Sequence, residues 1–119
     1  MALATLNRGD PFTAARAAWR GGAMSASAES YLAGLFGTRF SPDDHAARMD
    51  ALLWQNDGSA AARQASRLSS QQRELAMARL SLVQGQLPEA AGLTVPADAL
   101  RHPGYVYNLA RFHRTKGNL

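Results

Sequence analysis

Apolar residues recur at helical spacing along most of the chain, and no stretch alternates apolar with polar positions for long enough to suggest a strand. Local punctuation divides the pattern. Asp10 before Pro11 reads as an N-cap with proline at the first helical position, predicting a helix to about Trp19 that Gly21 and Gly22 stop. Ser25 or Ser27 opens a second helix, with Tyr31, Leu32, Leu35 and Phe36 as its apolar stripe and Gly37 as a left-handed C-terminal cap. Ser41, Pro42, Asp43 and Asp44 then supply a cap, a proline and two carboxylates that complement the helix dipole, for a helix ending near Gln55. The turn "NDG" follows, Ser59 is the expected cap of a helix to about Leu68, and Ser69 with Gln72 resembles a capping box for a longer helix that reaches Gln84 and stops at Gly85. From Gln86 to Pro103, prolines and glycines leave room only for short turns around Glu89 to Ala91 and Asp98 to Leu100. A last helix, from about Tyr105 to Thr115, directs Tyr105, Leu109 and Phe112 to one side before Gly117.

Two of these helices carry more apolar surface than a helix on the outside of a bundle needs. On the helix opened by Ser41, Ala46, Met49 and Leu53 line one flank, Ala47, Ala51 and Trp54 a second, and Leu52 lies between. From Gln71 to Gln84, Leu75, Ala78 and Leu82 form one stripe and Ala76, Leu80 and Val83 another. Neighbours are therefore expected on both flanks, and rows of alanine permit close approach of helix axes. The predicted fold is all-α: stacked helical hairpins forming part of an α-superhelix, a solenoid of tetratricopeptide-like construction. The helix ends "AARAAWRGG", "MDALLWQNDG" and "NLARFHRTKG" share a large aromatic shortly before a turn glycine, a loose self-similarity that fits such a stack. Residues 1–119 read as one such segment, and because "RTKGNL" stops just after a turn signal, the segment is expected to belong to a longer chain.

Composition narrows the function classes. Alanine makes up about a fifth of the chain, which favours close-packed helices. The net charge is +4, carried by arginines spread from Arg8 to Arg79 with a basic C-terminal quarter of Arg101, Arg111, Arg114 and Lys116. No block matches a phosphate backbone, so no nucleic-acid partner is expected. The absence of cysteine excludes disulfides, thiolate zinc sites and thiol nucleophiles. No apolar run approaches the roughly 18 residues of a membrane span, and "MALATLNRGDPF" lacks the apolar core of a signal peptide, so no transmembrane segment is expected.

The run "DDHAARMDALLWQNDGSAAARQASRL", then "LAMARLSL", then "VPADALRHPGYVYNLARFHRTKG", resembles the N-terminal α-superhelical region of soluble lytic murein transglycosylases over roughly residues 12 to 117. The resemblance rests on a helix with His45, Arg48 and Asp50 running into "LLW", a small-residue helix, an alanine-arginine helix and a late aromatic-arginine helix before a lysine-glycine turn. It implies a bacterial periplasmic enzyme that cleaves peptidoglycan glycan strands between N-acetylmuramic acid and N-acetylglucosamine, leaving a 1,6-anhydro product. The family's lysozyme-like catalytic module, with its single acid-base glutamate, is absent from these 119 residues.

Candidate chemistry is sparse against that background. Glu29 followed by Ser30 is similar to the family's catalytic Glu-Ser pair, but no Gly-Leu-Met-Gln run follows, and a carboxylate in a first helical turn is expected for dipole reasons alone. His45, His102 and His113 are too far apart for a local metal motif. Asp44 and Arg48 stand at i, i+4 and predict an ordinary helix ion pair; Asp50 is left to join Arg48, His45 or a neighbouring layer, and Asp43 to serve the dipole. Trp19, Trp54, Tyr105, Tyr107 and Phe112 could stack on sugar rings, yet their helical spacing predicts core positions. No catalytic, cofactor-binding or metal residue is assigned and no cofactor is expected. The implied partner is peptidoglycan, through a parent enzyme; a protein partner for a free-standing helical-repeat module is the alternative.

Overall fold

The computed structural model describes residues 10–117. They form six α-helices and one 3-10 turn, without a strand among the described residues: α1 Pro11–Arg20, α2 Ala26–Phe36, α3 Pro42–Trp54, α4 Gly58–Ala65, α5 Ser70–Val83, the turn Ala99–Arg101, and α6 Pro103–Thr115. Arg8, the first nine residues of "MALATLNRGDPF" and the last two of "RTKGNL" lie outside the described residues.

Side-chain caps place the starts of α1 to α5, while α6 begins at Pro103 without one. Asp10 accepts from the Phe12 N–H, and Ser25, rather than Ser27, accepts from Ala28. Ser41 with Asp44 and Ser69 with Gln72 close complete capping boxes. Two expected stops and starts differ. Gly37 has φ −54°, a right-handed value, because the chain continues in turns that carry Phe40 onto Trp19 instead of reversing. After α3 the left-handed residue is Asn56 at φ 59°, and Asp57 caps α4 through the Ala60 N–H, displacing Ser59 from that role and ending the helix at Ala65. Asparagine tolerates the left-handed region better than most side chains, so the turn is complete before the glycine.

Contacts fix the directions of the helices. Arg16 and Arg20 reach Asp44, Trp19 reaches His45, and Gly22 lies against Ala51 and Gln55, so α1 runs parallel to α3. Gln72 bonds the Pro42 carbonyl and Arg79 bonds Asp50, so α5 runs parallel to α3 in turn. Helices α2 and α4 return antiparallel, with Phe36 against Phe12 and Gln64 against His45. The molecule is thus a row of helical hairpins.

Three small cores lie along the row. Phe12, Ala15, Trp19, Phe36 and Phe40 close the first hairpin, with Trp19 and Phe40 stacked at 5.0 Å. Met49, Leu52, Leu53, Ala61, Leu68 and Leu80 join α3, α4 and α5. Ala78, Leu82, Ala99, Tyr105 and Phe112 join α5 to the 3-10 turn and α6. Both stripes of α5 are therefore used, Ala76 and Leu80 toward α3 and α4, Ala78 and Leu82 toward α6. Each fully buried leucine in these cores contributes about 1.5–3 kcal/mol relative to exposure. The radius of gyration is 16.3 Å and the extents 56 × 28 × 27 Å, against about 13.5 Å for a compact globule of this length. No helix is long and apolar enough to cross a membrane among the described residues.

Some apolar expectations fail. Tyr31 and Leu35 are 66% and 55% exposed, because Leu32, Ala33 and Phe36 alone turn α2 toward α1. Trp54 is 40% exposed and lies on Tyr107, outside the three cores, whereas Trp19, Tyr105 and Phe112 are buried as expected.

Candidate functional site

The joint between the first and second hairpins is polar, and it is built from residues that sequence spacing had paired differently. Arg48, expected to pair with Asp44 one turn away, points instead across to α2 and the end of α1. It is 1% exposed; Nη1 donates to the carbonyls of Gly22 and Trp19, Nη2 lies 3.4 Å from Glu29 Oε1, and the guanidinium covers the Trp19 ring at 4.4 Å. The arginine thus sits on carbonyls at and just past the C-terminus of α1, a favourable place for a cation. Its Nε is buried without a partner.

Glu29 is the centre of this joint, 3% exposed and not merely a first-turn dipole partner. Arg63 of α4 grips it with two bonds, Nη2 to Oε1 at 2.9 Å and Nε to Oε2 at 3.3 Å, and Arg67 Nη1 adds a third at 3.2 Å. Arg63's hydrogen bonding, with help from Arg67, outweighs burial and holds the Glu29 carboxyl below the usual carboxylate range. A general acid needs the opposite shift, together with a free face toward substrate. Glu29 therefore acts here as an anchor between α2, α3 and α4.

Asp44 has a matching role on the α1 side. Burial raises its pKa, but the Ser41 N–H and the guanidiniums of Arg16 and Arg20, at 2.7 and 2.6 Å, win and hold it well below the usual range. His45 lies between the two anchors. Its Nδ1 accepts from Trp19 Nε1 at 3.2 Å, and Gln64, fully buried, donates to its backbone carbonyl while accepting from Arg67. Burial first, then Arg67, lowers its pKa, so the imidazole is neutral at neutral pH. Five guanidiniums share two carboxylates in this joint, which leaves the region electropositive.

A second buried arginine repeats the device. Arg79 of α5 bonds Asp50 at 2.6 Å and Asn108 at 2.7 Å, and Asn108 donates to the Leu53 carbonyl, so α3, α5 and α6 meet on one guanidinium. Asp50 thereby joins the neighbouring layer, one of the options its sequence position left open. Gly104 is what lets α6 approach: a Cβ there would lie 2.5 Å from the Arg79 guanidinium. Beside this ion pair, Ala46, Met49, Leu53, Leu68 and Leu75 line an open cleft of 110 Å³. Small-molecule sites are commonly about 300–1,000 Å³.

The remaining tempting residues are scattered. His102 sits 3.6 Å from Asp98 in the connector, and His113 packs edge-on against Phe112 on α6. No group of three or more His, Cys, Asp or Glu could hold a metal among the described residues. Arg48, Arg79, Gln64 and Asn108 were not legible as a set; the one signal was an arginine within each of the runs "AARMDALL" and "LAMARLSL", which are otherwise rich in apolar residues. No protein-family model, curated protein or solved structure matches the chain.

Proposed function

We propose that this chain is the non-catalytic superhelical segment of a soluble lytic murein transglycosylase, a periplasmic scaffold that positions the parent enzyme on peptidoglycan glycan strands. The observation that carries the reading is the parallel row α1, α3 and α5, in which α3 and α5 have neighbours on both flanks and polar joints tie layer to layer. A rigid row of this kind suits a curved wall that holds a catalytic module at a set distance from its polymer. The scattered positive charge suits a polymer that carries carboxylates. Cleavage of the bond between N-acetylmuramic acid and N-acetylglucosamine, with its 1,6-anhydro product, belongs to the catalytic module of the parent.

Sequencing the gene beyond codon 119 tests the reading. A downstream Glu-Ser segment followed by Gly-Leu-Met-Gln is expected; a reading frame that closes without one overturns it. The purified chain is expected to leave the turbidity of isolated cell wall unchanged, and robust clearance would contradict a scaffold role. A second reading, a free-standing helical-repeat module that binds a protein, draws on the exposed Tyr31 and Leu35 of α2. A closed reading frame would favour it.

A further inference from the structure

The two tryptophans have opposite environments. Trp19 is fully buried in the first core, whereas Trp54, at the end of α3, keeps 40% of its surface open. A large exposed aromatic is the more informative of the two, since burial is what its size would favour. Its position is fixed. The indole lies on the Tyr107 ring with centroids 4.6 Å apart and planes 26° from parallel. Asn56, in its left-handed turn, donates to the Tyr107 hydroxyl at 2.9 Å and to the Trp54 carbonyl at 3.4 Å. Helix end, turn and α6 thus hold the two rings as one rigid unit, which reduces the ordering cost of binding.

Charge continues from that unit along α6. Arg111 and Arg114 follow Tyr107 at i+4 and i+7, on the same helical face. Arg111 is half-buried and Arg114 exposed, and neither side chain has a hydrogen bond or ion pair among the described residues. They differ in this from Arg16, Arg20, Arg48, Arg63, Arg67 and Arg79, whose guanidiniums are committed to carboxylates. A rigid aromatic surface with an uncommitted cation one helical turn away suits a ligand that has a flat apolar face and an acid group beside it.

We infer that Trp54, Tyr107 and Arg111 form a binding shelf for a carboxylate-bearing sugar unit of a glycan chain. The ring face of the sugar lies on the exposed indole, and its carboxylate meets the Arg111 guanidinium. The choice of a sugar over a nucleic-acid base rests on the reading under Proposed function, because either could stack on an indole.

The test is calorimetric titration of the chain with three probes: the disaccharide of N-acetylglucosamine and N-acetylmuramic acid, the neutral disaccharide of N-acetylglucosamine alone, and oligothymidylate. The acidic disaccharide is expected to bind at least fivefold more tightly than the neutral one. Trp54→Ala should weaken both sugars at least tenfold. Arg111→Gln should lower the acidic probe to the affinity of the neutral one and leave the neutral probe unchanged, a result that a merely structural role would not give. Arg111 is a partly exposed surface residue, so that variant keeps the test decisive if Trp54→Ala unfolds. Equal affinity for both sugars, or no effect of Arg111→Gln, overturns the shelf. So does oligothymidylate binding more tightly than either sugar, with steep salt dependence, which would assign the surface to single-stranded nucleic acid. Absence of binding by any probe overturns the shelf as well, and leaves the scaffold reading to the gene sequence, which tests it separately.

Discussion

Removing the carboxylate of Glu29 puts the polar joint to its hardest test. In Glu29→Ala, Arg63 and Arg67 can swing into water, because both are partly exposed. Arg48 cannot. Its side chain is 1% exposed and would keep only the Gly22 and Trp19 carbonyls for partners. Breaking a buried ion pair from one side typically costs about 3–5 kcal/mol, because the stranded charge keeps its desolvation penalty. Against a domain stability of about 5–15 kcal/mol, that is at least about a fifth of the total. Urea unfolding followed at 222 nm should show the midpoint falling accordingly with little change in slope. Arg48→Met, added to Glu29→Ala, removes the stranded charge but frees the Gly22 carbonyl, which costs about 1–3 kcal/mol. The double variant should therefore be no less stable than Glu29→Ala alone, although Arg48→Met by itself is destabilising. A loss below about 1 kcal/mol for Glu29→Ala, or losses that simply add in the double variant, would refute the joint as an energetic unit.

Stability should depend on pH in two steps. The His45 pKa is lowered from 6.5, so the unfolded chain binds the extra proton, and this contribution is full above about pH 6.5 and lost as pH falls toward the folded value. Glu29 and Asp44 are lowered from 4.5 and 3.8, so their contributions are full above those values and lost progressively below them. A urea midpoint that stays flat from pH 7 to 5 would contradict the first step. Gly104→Ala should destabilise by about 1–3 kcal/mol through displacement of Arg79, although alanine is the better helix former by about 1 kcal/mol; a stabilised variant in the same denaturation assay would show that Arg79 moves freely. Ser41→Ala and Ser69→Ala should each cost about 1 kcal/mol by opening a capping box, and thermal melts unchanged from the parent would count against those caps.

Four helix starts were legible because caps are local: Asp10, Ser25, Ser41 and Ser69 each bond an N–H two or three residues ahead, whereas α4 starts from Asp57 instead of Ser59 and α6 starts without a side-chain cap. The two stripes of α5 were legible for a related reason, since spacing alone separates Leu80 from Leu82 around the helix, and each stripe found its own core. The ion pairs were not legible. Local spacing joined Asp44 to Arg48, yet both reach residues more than 18 positions away, and only the parallel course of α1 and α3 decides which. Trp54 and Tyr107 failed differently: periodicity names the face of a helix, but whether that face meets a neighbour or water depends on where α6 crosses, and it crosses far enough along to leave the indole partly open.

Stability and register come from different parts of this molecule. The three apolar cores supply most of the burial, but much of the lining between helices is alanine, whose short side chain offers little to stop one parallel helix from sliding along another. A slip of one turn is about 5.4 Å. Such a slip would carry Arg48 out of reach of Glu29, and Arg79 out of reach of Asp50. Each misplaced arginine would then be a buried charge without its carboxylate, a state far costlier than an imperfect apolar fit. Arginine suits this task because it combines reach with five donors in a fixed fork, so one side chain can hold a carboxylate and a backbone or amide oxygen of a neighbouring element together. The polar joints therefore add a penalty for misalignment to what the apolar cores supply, and the observed course of α1, α3 and α5 is one that satisfies both.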